Sequence, residues 1–380
     1  MYSCYNIQGS IKEISSTPSA AIIMTTIPQS TNGLNLLPST GMASYSCISN
    51  DGTRIFVASS NSTATAAPCY SANGGASWST STFSPALPTT ATNVWGLASS
   101  SDCKYILFNT DTNPCFPYKS IDYGATFTAW IASNFGGVNC TNAKWAGGVS
   151  DDGTVWTLAS TNTSVSSGVW VCTNGTSTQS TDTFTRYFSS GNFFGSYCSP
   201  DGNHIMATTN TGSLTYRHVY SQDKGSTWTW GTTTIASTSI QSMPLISSDG
   251  QKMWTITYNG STQTSCFLDL TVSTTWDTSF GTSQWLSSYG QGAPSVGQSC
   301  ISSTMKYMMN LMVVGGASSS NNAFYSIDTG TTWIRWGTTI PALSAIKIRN
   351  CSCSKNGQYV ILISSTAGNM YKIQFPTTNI

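Results

Sequence analysis

The chain has 380 residues, a net charge of +1 and only 8% charged residues, against about 25% in ordinary soluble domains. Its Lys and Arg are scattered, which excludes the clustered basic surface of a nucleic-acid or anionic-membrane binder, and no run of 18 apolar residues offers a membrane-spanning helix. About 31% of residues are Ser or Thr, yet 13 Trp, 17 Tyr and 14 Phe supply the aromatic bulk of a packed core rather than a disordered stalk.

Residues 1–17 read as an N-terminal arm or an extra edge strand, and residues 18–380 as one domain. Met1 to Ser10 lacks a basic segment followed by an apolar one, so no secretory signal is expected. Ala20 to Pro28 is a β-branched run and reads as a strand. Further along, one turn recurs seven times: Ser49-Asn50-Asp51-Gly52, Ser100-Ser101-Asp102-Cys103, Ser150-Asp151-Asp152-Gly153, Ser199-Pro200-Asp201-Gly202, Ser247-Ser248-Asp249-Gly250, Ser302-Ser303-Thr304-Met305 and Ser354-Lys355-Asn356-Gly357. Their first residues lie 51, 50, 49, 48, 55 and 52 positions apart. A period of about 50 residues marks a closed array of supersecondary units.

Each turn is preceded by a short apolar run and followed by another, such as Val94-Trp95-Gly96-Leu97-Ala98 before Ser100 and Tyr105-Ile106-Leu107-Phe108 after it. Short β-branched and aromatic runs bounded by Gly, Asn and Ser read as strands, and Asp-Gly between two of them reads as a hairpin. These are strands A and B of each unit. Met308 to Val314 is a candidate for a buried strand.

A second motif follows each A–B hairpin by roughly 20 residues and joins strands C and D. It comprises Ser71, Asn73, Gly75 and Trp78; Ser120, Asp122, Gly124 and Phe127; Ser221, Asp223, Gly225 and Trp228; and Ser326, Asp328, Gly330 and Trp333. In Ser-x-Asp/Asn-x-Gly-x-Ser/Thr-Trp/Phe, the Asp or Asn side chain caps backbone N–H groups of a tight turn. The Gly takes a conformation that other residues resist, and the aromatic packs inward. These octets resemble the Asp-box, or BNR, repeat of sialidase-like and sortilin-like β-propellers. The resemblance implies an all-β, seven-bladed β-propeller of four-stranded antiparallel blades. Two copies depart from the pattern: one around Cys172-Thr173-Asn174-Gly175 is expanded and leads to Phe184, and one around Asp269 keeps only that Asp and Trp276. The seventh unit ends before its outer strand, so Ala20 to Pro28 is expected to supply it beside a C strand at Asn369 to Phe375. The segment is similar to Gly337-Thr338-Thr339-Ile340-Pro341, expected to end an outer strand. Pairing of the two termini in one blade removes a sheet edge.

The resemblance also implies a sialidase site: a Tyr nucleophile with a Glu partner, a catalytic Asp and three Arg on the substrate carboxylate. The inventory does not supply it. The single Glu, Glu13, lies outside the repeats, and most Asp are turn residues; Asp111, Asp151, Asp182 and Asp277 remain. No Phe-Arg-Ile-Pro segment is present. The chain is expected not to be an enzyme, since fold alone does not imply function. His204 and His218 are the only histidines and read as structural. The cysteines show no zinc spacing, Cys351-Ser352-Cys353 being too close and without His partners, so no metal or cofactor is expected. Cys47, Cys198, Cys300 and Cys353 precede repeat turns; as equivalent positions on separate blades they are expected to stay apart as thiols.

Both repeated turns fall on one face of such a propeller, so variation concentrates on the face of the B–C and D–A loops. The longer loops there, 130–144, 189–196 and 280–298, carry Trp130, Phe135, Phe193, Phe194, Trp285 and Tyr289. Aromatic faces beside amides and hydroxyls suit neutral glycans; the other reading is that these rings wedge between blades. The function expected first is a non-enzymatic binding or assembly module on a virion surface or another extracellular particle. Its partners are expected to be proteins or neutral glycans, with no nucleic acid and no membrane insertion. A lectin, a divergent glycoside hydrolase and, by analogy with BNR-type propellers that help build photosynthetic complexes, an assembly factor are the alternatives.

Overall fold

The computed structural model describes residues 22–27, 30–31, 34–35, 44–59, 68–87, 94–110, 117–138, 145–160, 167–175, 179–189, 191–212, 215–231, 235–236, 239–240, 245–258, 263–271, 294–295, 299–314, 322–344, 346, 348–364 and 369–376. Antiparallel sheets follow one another along the chain as seven propeller blades. Blade three shows the plain pattern: Trp145–Val149, Trp156–Ser160, Gly168–Cys172 and Thr185–Tyr187 pair in sequence order as strands A to D. Met308–Val314 is strand B of blade six, as its apolar run predicts. In blade five, strands A to C are described, C being Gln263–Asp269; Trp276 lies outside the described residues.

The termini meet in blade seven. Ile23–Ile27 pairs antiparallel with Met370–Gln374, in the register Ile23 opposite Gln374 through Ile27 opposite Met370. Those five backbone positions close the circle. Ile27 is buried at the contact of blades seven and one, packed with Ile48, Ile55, Val57 and Ile363. Residues 1–17 lie outside the described residues.

The seven A–B turns share one bonding scheme. In every turn the first Ser hydroxyl accepts the N–H five residues on, at 2.9–3.0 Å, from Arg54 in blade one to Tyr359 in blade seven. In five of them the same hydroxyl donates to the Asp two residues on. Asn356 takes the Asp role in blade seven at 2.7 Å. The turns are also tied to one another. Asn50 N–H reaches Ser101 O, Asp151 N–H reaches Pro200 O, Ser248 N–H reaches Ser303 O, and Ser303 N–H reaches Lys355 O, at 2.6–2.8 Å. Ser101 N–H donates to the Asp151 carboxylate at 2.8 Å, and Asn356 is bonded to Asn50 at 2.9 and 3.0 Å. The second turn residues therefore form a belt around the axis. Pro200, lacking an N–H, donates nothing to blade five.

The fourth turn residue sits in the left-handed region, with φ of +70° at Gly153. A Cβ there would lie 2.5 Å from the Tyr105 ring of the preceding blade. Tyr359 sits likewise on Gly52, and Tyr307 on Gly357. Glycine is thus required twice, for its backbone and for the neighbouring ring. Where Cys103 and Met305 take the position, at φ of +58° and +57°, the preceding blade supplies Arg54 and Lys252 at the place of the ring.

The structure departs from the expected pattern in three places. Blade two carries a fifth strand: Thr82–Ser84, on the way out of blade one, pairs parallel with Thr126–Ala129. The Ser81 hydroxyl bonded to Gly124 O at 2.6 Å brings it there, and Phe83 stacks on Phe127 at 4.8 Å. The outer strand of blade six stops at Arg335, and Trp336–Thr339 turns helical instead. Burial of the Trp336 ring against Tyr325, 4.2 Å away, outweighs strand continuation. Finally, Asn192–Cys198 is strand A of blade four, so Phe193 and Phe194 belong to a strand and not to a loop.

Candidate functional site

The structure brings the aromatic residues of the B–C and D–A face into two assemblies. The first is a sealed wedge between blades two and three. Trp130 and Phe135, on the segment leaving blade two, are buried and pack on Trp156, Phe184 and Trp170. Phe135 stacks on Phe184 at 4.7 Å, and Trp130 meets Trp156 edge-on at 5.2 Å. Trp130 Nε1–H donates to Asp182 Oδ2 at 2.8 Å, and Lys119 Nζ pairs with the same oxygen at 2.7 Å. The Asn134 amide bonds Asp182 O at 2.8 Å. A carboxylate in such an apolar place needs its ammonium partner and its hydrogen bonds. Asp182, left over when the turn residues are assigned, is therefore a structural ion, and for Trp130 and Phe135 the wedge reading is the one the packing matches.

The second assembly spans blades three and four, from Phe188 and Phe193 to Trp228 of the blade-four box. Strand D of blade three ends at Tyr187, and Phe188 follows in the left-handed region at φ +58°, a conformation a bulky residue seldom takes. Its ring stacks on Phe193 at 5.6 Å and meets Trp228 and Trp230 edge-on at 5.4 and 5.2 Å. Phe193 is wholly buried and forms the floor. Trp230 is 39% exposed, among the largest apolar exposures of the described residues. Arg217 lies over the Trp230 ring at 5.0 Å, and its Nη2 donates to Gly231 O at 3.1 Å. Arg186 holds the loop from the other side, bonding Ser167 O at 2.8 Å and Ser189 O at 3.0 Å. The result is a half-exposed aromatic ledge, fixed by two guanidiniums and bordered by hydroxyls and carbonyls. Such a surface stacks on flat or apolar faces and bonds at their edges. The side chain of Phe194, and Trp285 and Tyr289 altogether, lie outside the described residues.

The Asp-boxes stand on the opposite face and are self-contained. In blade four, Ser221 Oγ donates to Asp223 Oδ1 at 2.7 Å and accepts Gly225 N–H at 2.8 Å. Asp223 also receives Thr227 N–H and its hydroxyl, at 2.8 and 2.6 Å, and Trp228 Nε1–H bonds Gly225 O at 2.9 Å. The boxes at Asn73, Asp122 and Asp328 repeat the Ser hydroxyl bond. In blade three Cys172 replaces the Ser, its Sγ 3.1 Å from Asn174 Oδ1, and Thr183 closes the box from nine residues away. Burial raises the Asp51, Asp152, Asp201, Asp249 and Asp328 carboxyls, but hydrogen bonds from turn hydroxyls and N–H groups outweigh it and hold them below the ordinary carboxylate range. They are acceptors, unsuited to donate a catalytic proton.

Asp151 is fixed in the belt. It receives the Ser101 hydroxyl and is bridged at 2.8 Å by Lys355, which reaches from blade seven and also bonds Val149 O at 3.3 Å. This ion pair joins blades that are not neighbours, so it crosses the axis on the A–B face. Asp111, Asp277 and Glu13 lie outside the described residues. His218 sits in strand C of blade four with Nδ1 2.8 Å from the Thr208 hydroxyl, and burial lowers its pKa to about 3. It is neutral and sealed, a structural histidine. Among the described residues no group of three His, Cys, Asp or Glu is placed to hold a metal ion.

No protein-family model and no curated protein sequence matches the chain. Solved structures do. A GH74 enzyme of Niastella koreensis superposes with a TM-score of 0.59 at 16% identity, over 88% of this chain and 52% of that one. This chain therefore spans about half the length of that enzyme. YCF48 from Cyanidioschyzon merolae gives 0.56 at 13% identity, over 92% and 98% of the two chains. A β-propeller domain of Cps50 (Swd1) from Myceliophteria thermophila gives 0.52 at 10% identity, over 93% and 100%. At these identities the likeness is one of fold, and it reaches both an enzyme and propellers of other kinds.

Proposed function

We propose that this propeller is a non-catalytic binding module, used in an assembly such as the surface of a virion or another extracellular particle, and that the ledge of Phe188, Trp228 and Trp230 is its contact site. The observation that carries the reading is the use of its acids: every described aspartate is a turn cap, a belt ligand or half of a buried ion pair. Glycoside hydrolysis needs two carboxyl groups placed across a bond, one able to give a proton. The low charge and hydroxyl-rich surface suit a packed particle coat. YCF48, which superposes over nearly its whole length, has been solved bound to a D1 peptide, and a propeller that docks a peptide needs no catalytic group. The test is fractionation of the native source together with recombinant Trp230→Ala. The native protein should co-sediment with a particle or complex, and the variant should rebind it at least about tenfold more weakly, as loss of a buried aromatic anchor does. Turnover of any glycoside by the wild-type chain, or unchanged rebinding by the variant, would sink the proposal.

A neutral glycan is the second reading of the same ledge, favoured by the exposed Trp230 ring beside Arg217. A glycan array probed at millimolar concentration, with Trp230→Ala as control, separates the two partners.

A further inference from the structure

Two thiols face each other across the contact of blades six and seven. Cys300 lies in strand A of blade six, Ser299–Ile301, and Cys351 in strand A of blade seven, Ile348–Cys353. Their sulfurs are 3.7 Å apart, and both are thiols in this structure. Met309 Sδ also lies 3.7 Å from Cys300 Sγ, and the Cys353 thiol is within hydrogen-bond reach of Cys300. The same contact is held by the belt bond from Ser303 to Lys355 and by the Tyr307 ring on Gly357, so the two inner strands are fixed against each other. The sequence set Cys47, Cys198, Cys300 and Cys353 apart from one another as thiols; all four are thiols in the structure, and the close neighbour of Cys300 is Cys351, outside that set. Between blades one and two the Cys47 thiol, on an inner strand, likewise lies within hydrogen-bond reach of the Cys103 thiol in the next A–B turn.

We propose that Cys300 and Cys351 form an inter-blade disulfide when the protein meets an oxidising medium, locking blade six to the blade that both chain termini close. A disulfide needs sulfurs about 2.05 Å apart, so the pair has to close by roughly 1.6 Å, within reach of small side-chain rotations. The oxidant is a small disulfide such as oxidised glutathione. Cys300, the more exposed of the two, attacks one glutathione sulfur as thiolate and releases the first glutathione thiolate. Cys351 then attacks the Cys300 sulfur of the mixed disulfide and releases the second. Two cysteine thiols are oxidised by two electrons, one glutathione disulfide is reduced, and the two thiol protons end on the two glutathiones. Burial, with Cys351 and Cys353 alongside, pushes the Cys300 thiol well up. The reaction is therefore slow near pH 7 and accelerates about tenfold per pH unit while pH remains below that thiol's pKa. The chain stays reduced in a reducing compartment and becomes stapled after release. This inference stands apart from the proposed function, since it concerns the stability of the disc and not its partner.

The experiment uses the full-length chain, purified reduced and then held in oxidised glutathione at pH 7.0, 8.0 and 9.0 with native structure confirmed by circular dichroism. Remaining thiols are blocked with iodoacetamide, and a non-reducing peptide map is assigned by fragmentation. The expected product joins Cys300 to Cys351, forms faster at higher pH, and raises the melting temperature by about 3–6 °C, reversibly with dithiothreitol. Cys353→Ser should still form it; Cys351→Ser should not. Should Cys351→Ser fail to fold, the wild-type and Cys353→Ser maps decide the matter alone. Both cysteines recovered alkylated after oxidation at pH 9.0, or Cys300 joined to any other cysteine, would overturn the proposal.

Discussion

At the scale of the residue, the A–B turns show how one position is asked for two properties at once. Gly153 needs a left-handed backbone and also room for Tyr105, 2.5 Å from where its Cβ would be. Gly153→Ala is expected to destabilise the protein by about 1–3 kcal/mol, through strain and displacement of the ring, measured by urea unfolding. The positive φ was legible in the sequence from Asp-Gly; the ring was not, because it comes from the blade before. His218 makes a second residue-scale case. Its ordinary pKa of 6.5 falls to about 3 in the fold, so the unfolded chain binds the proton first. Stability is full above about pH 6.5 and is lost as pH falls towards 3, by up to about 4 kcal/mol. The turn aspartates, held low by their hydrogen bonds, act in the same direction below about pH 4. A thermal scan series from pH 7 to 4 should therefore fall less steeply for His218→Gln than for the wild type.

At the scale of the element, the boxes fix the C–D turns from within, whereas the contacts between blades rest on side chains the repeat does not encode. The ion pair of Lys119 with Asp182 joins strand C of blade two to the expanded box of blade three. Neither residue sits at a repeated position, which is why Asp182 reads from sequence as a spare acid. Lys119→Met should cost about 3–5 kcal/mol by leaving Asp182 buried and unpaired, and Lys119→Met with Asp182→Leu should recover much of it; equilibrium unfolding of the single and double variants checks this. The ledge is a similar case. Trp228 was recognisable as a box residue and Phe193 as an aromatic near a loop. Phe188, Trp230 and Arg217 carry no motif, and only the packing of blade three on blade four assembles them.

At the scale of the whole molecule, closure depends on five residues from one end of the chain pairing with five near the other. Deletion of residues 1–27 should expose strand C of blade seven as an open edge and leave Ile48, Ile55 and Ile363 uncovered. The expected outcome is a lower melting temperature by at least about 5 °C together with concentration-dependent aggregation, read by light scattering; a monomeric product with unchanged melting would refute that role. The belt and the crossing of Lys355 to Asp151 lie on the A–B face, whereas the ledge is built between blades three and four.

The blade count, the strand order, the two repeated turns and the borrowed outer strand were all legible in the amino acids alone. Each of these follows from local spacing, from Asp and Gly chemistry that acts within a few residues, and from the need to cover an edge. Folding settles which aromatics are wedges and which form a ledge, that Asp182 and Asp151 are held ions, that Trp336 turns away from its strand, and that Cys300 meets Cys351. Apart from Trp336, which turns onto Tyr325 of its own blade, those outcomes depend on contacts between blades, whose partners lie from about 40 to about 200 residues apart along the chain. No periodicity records them, because a repeat specifies what each blade has in common and the blade contacts are made where the copies differ.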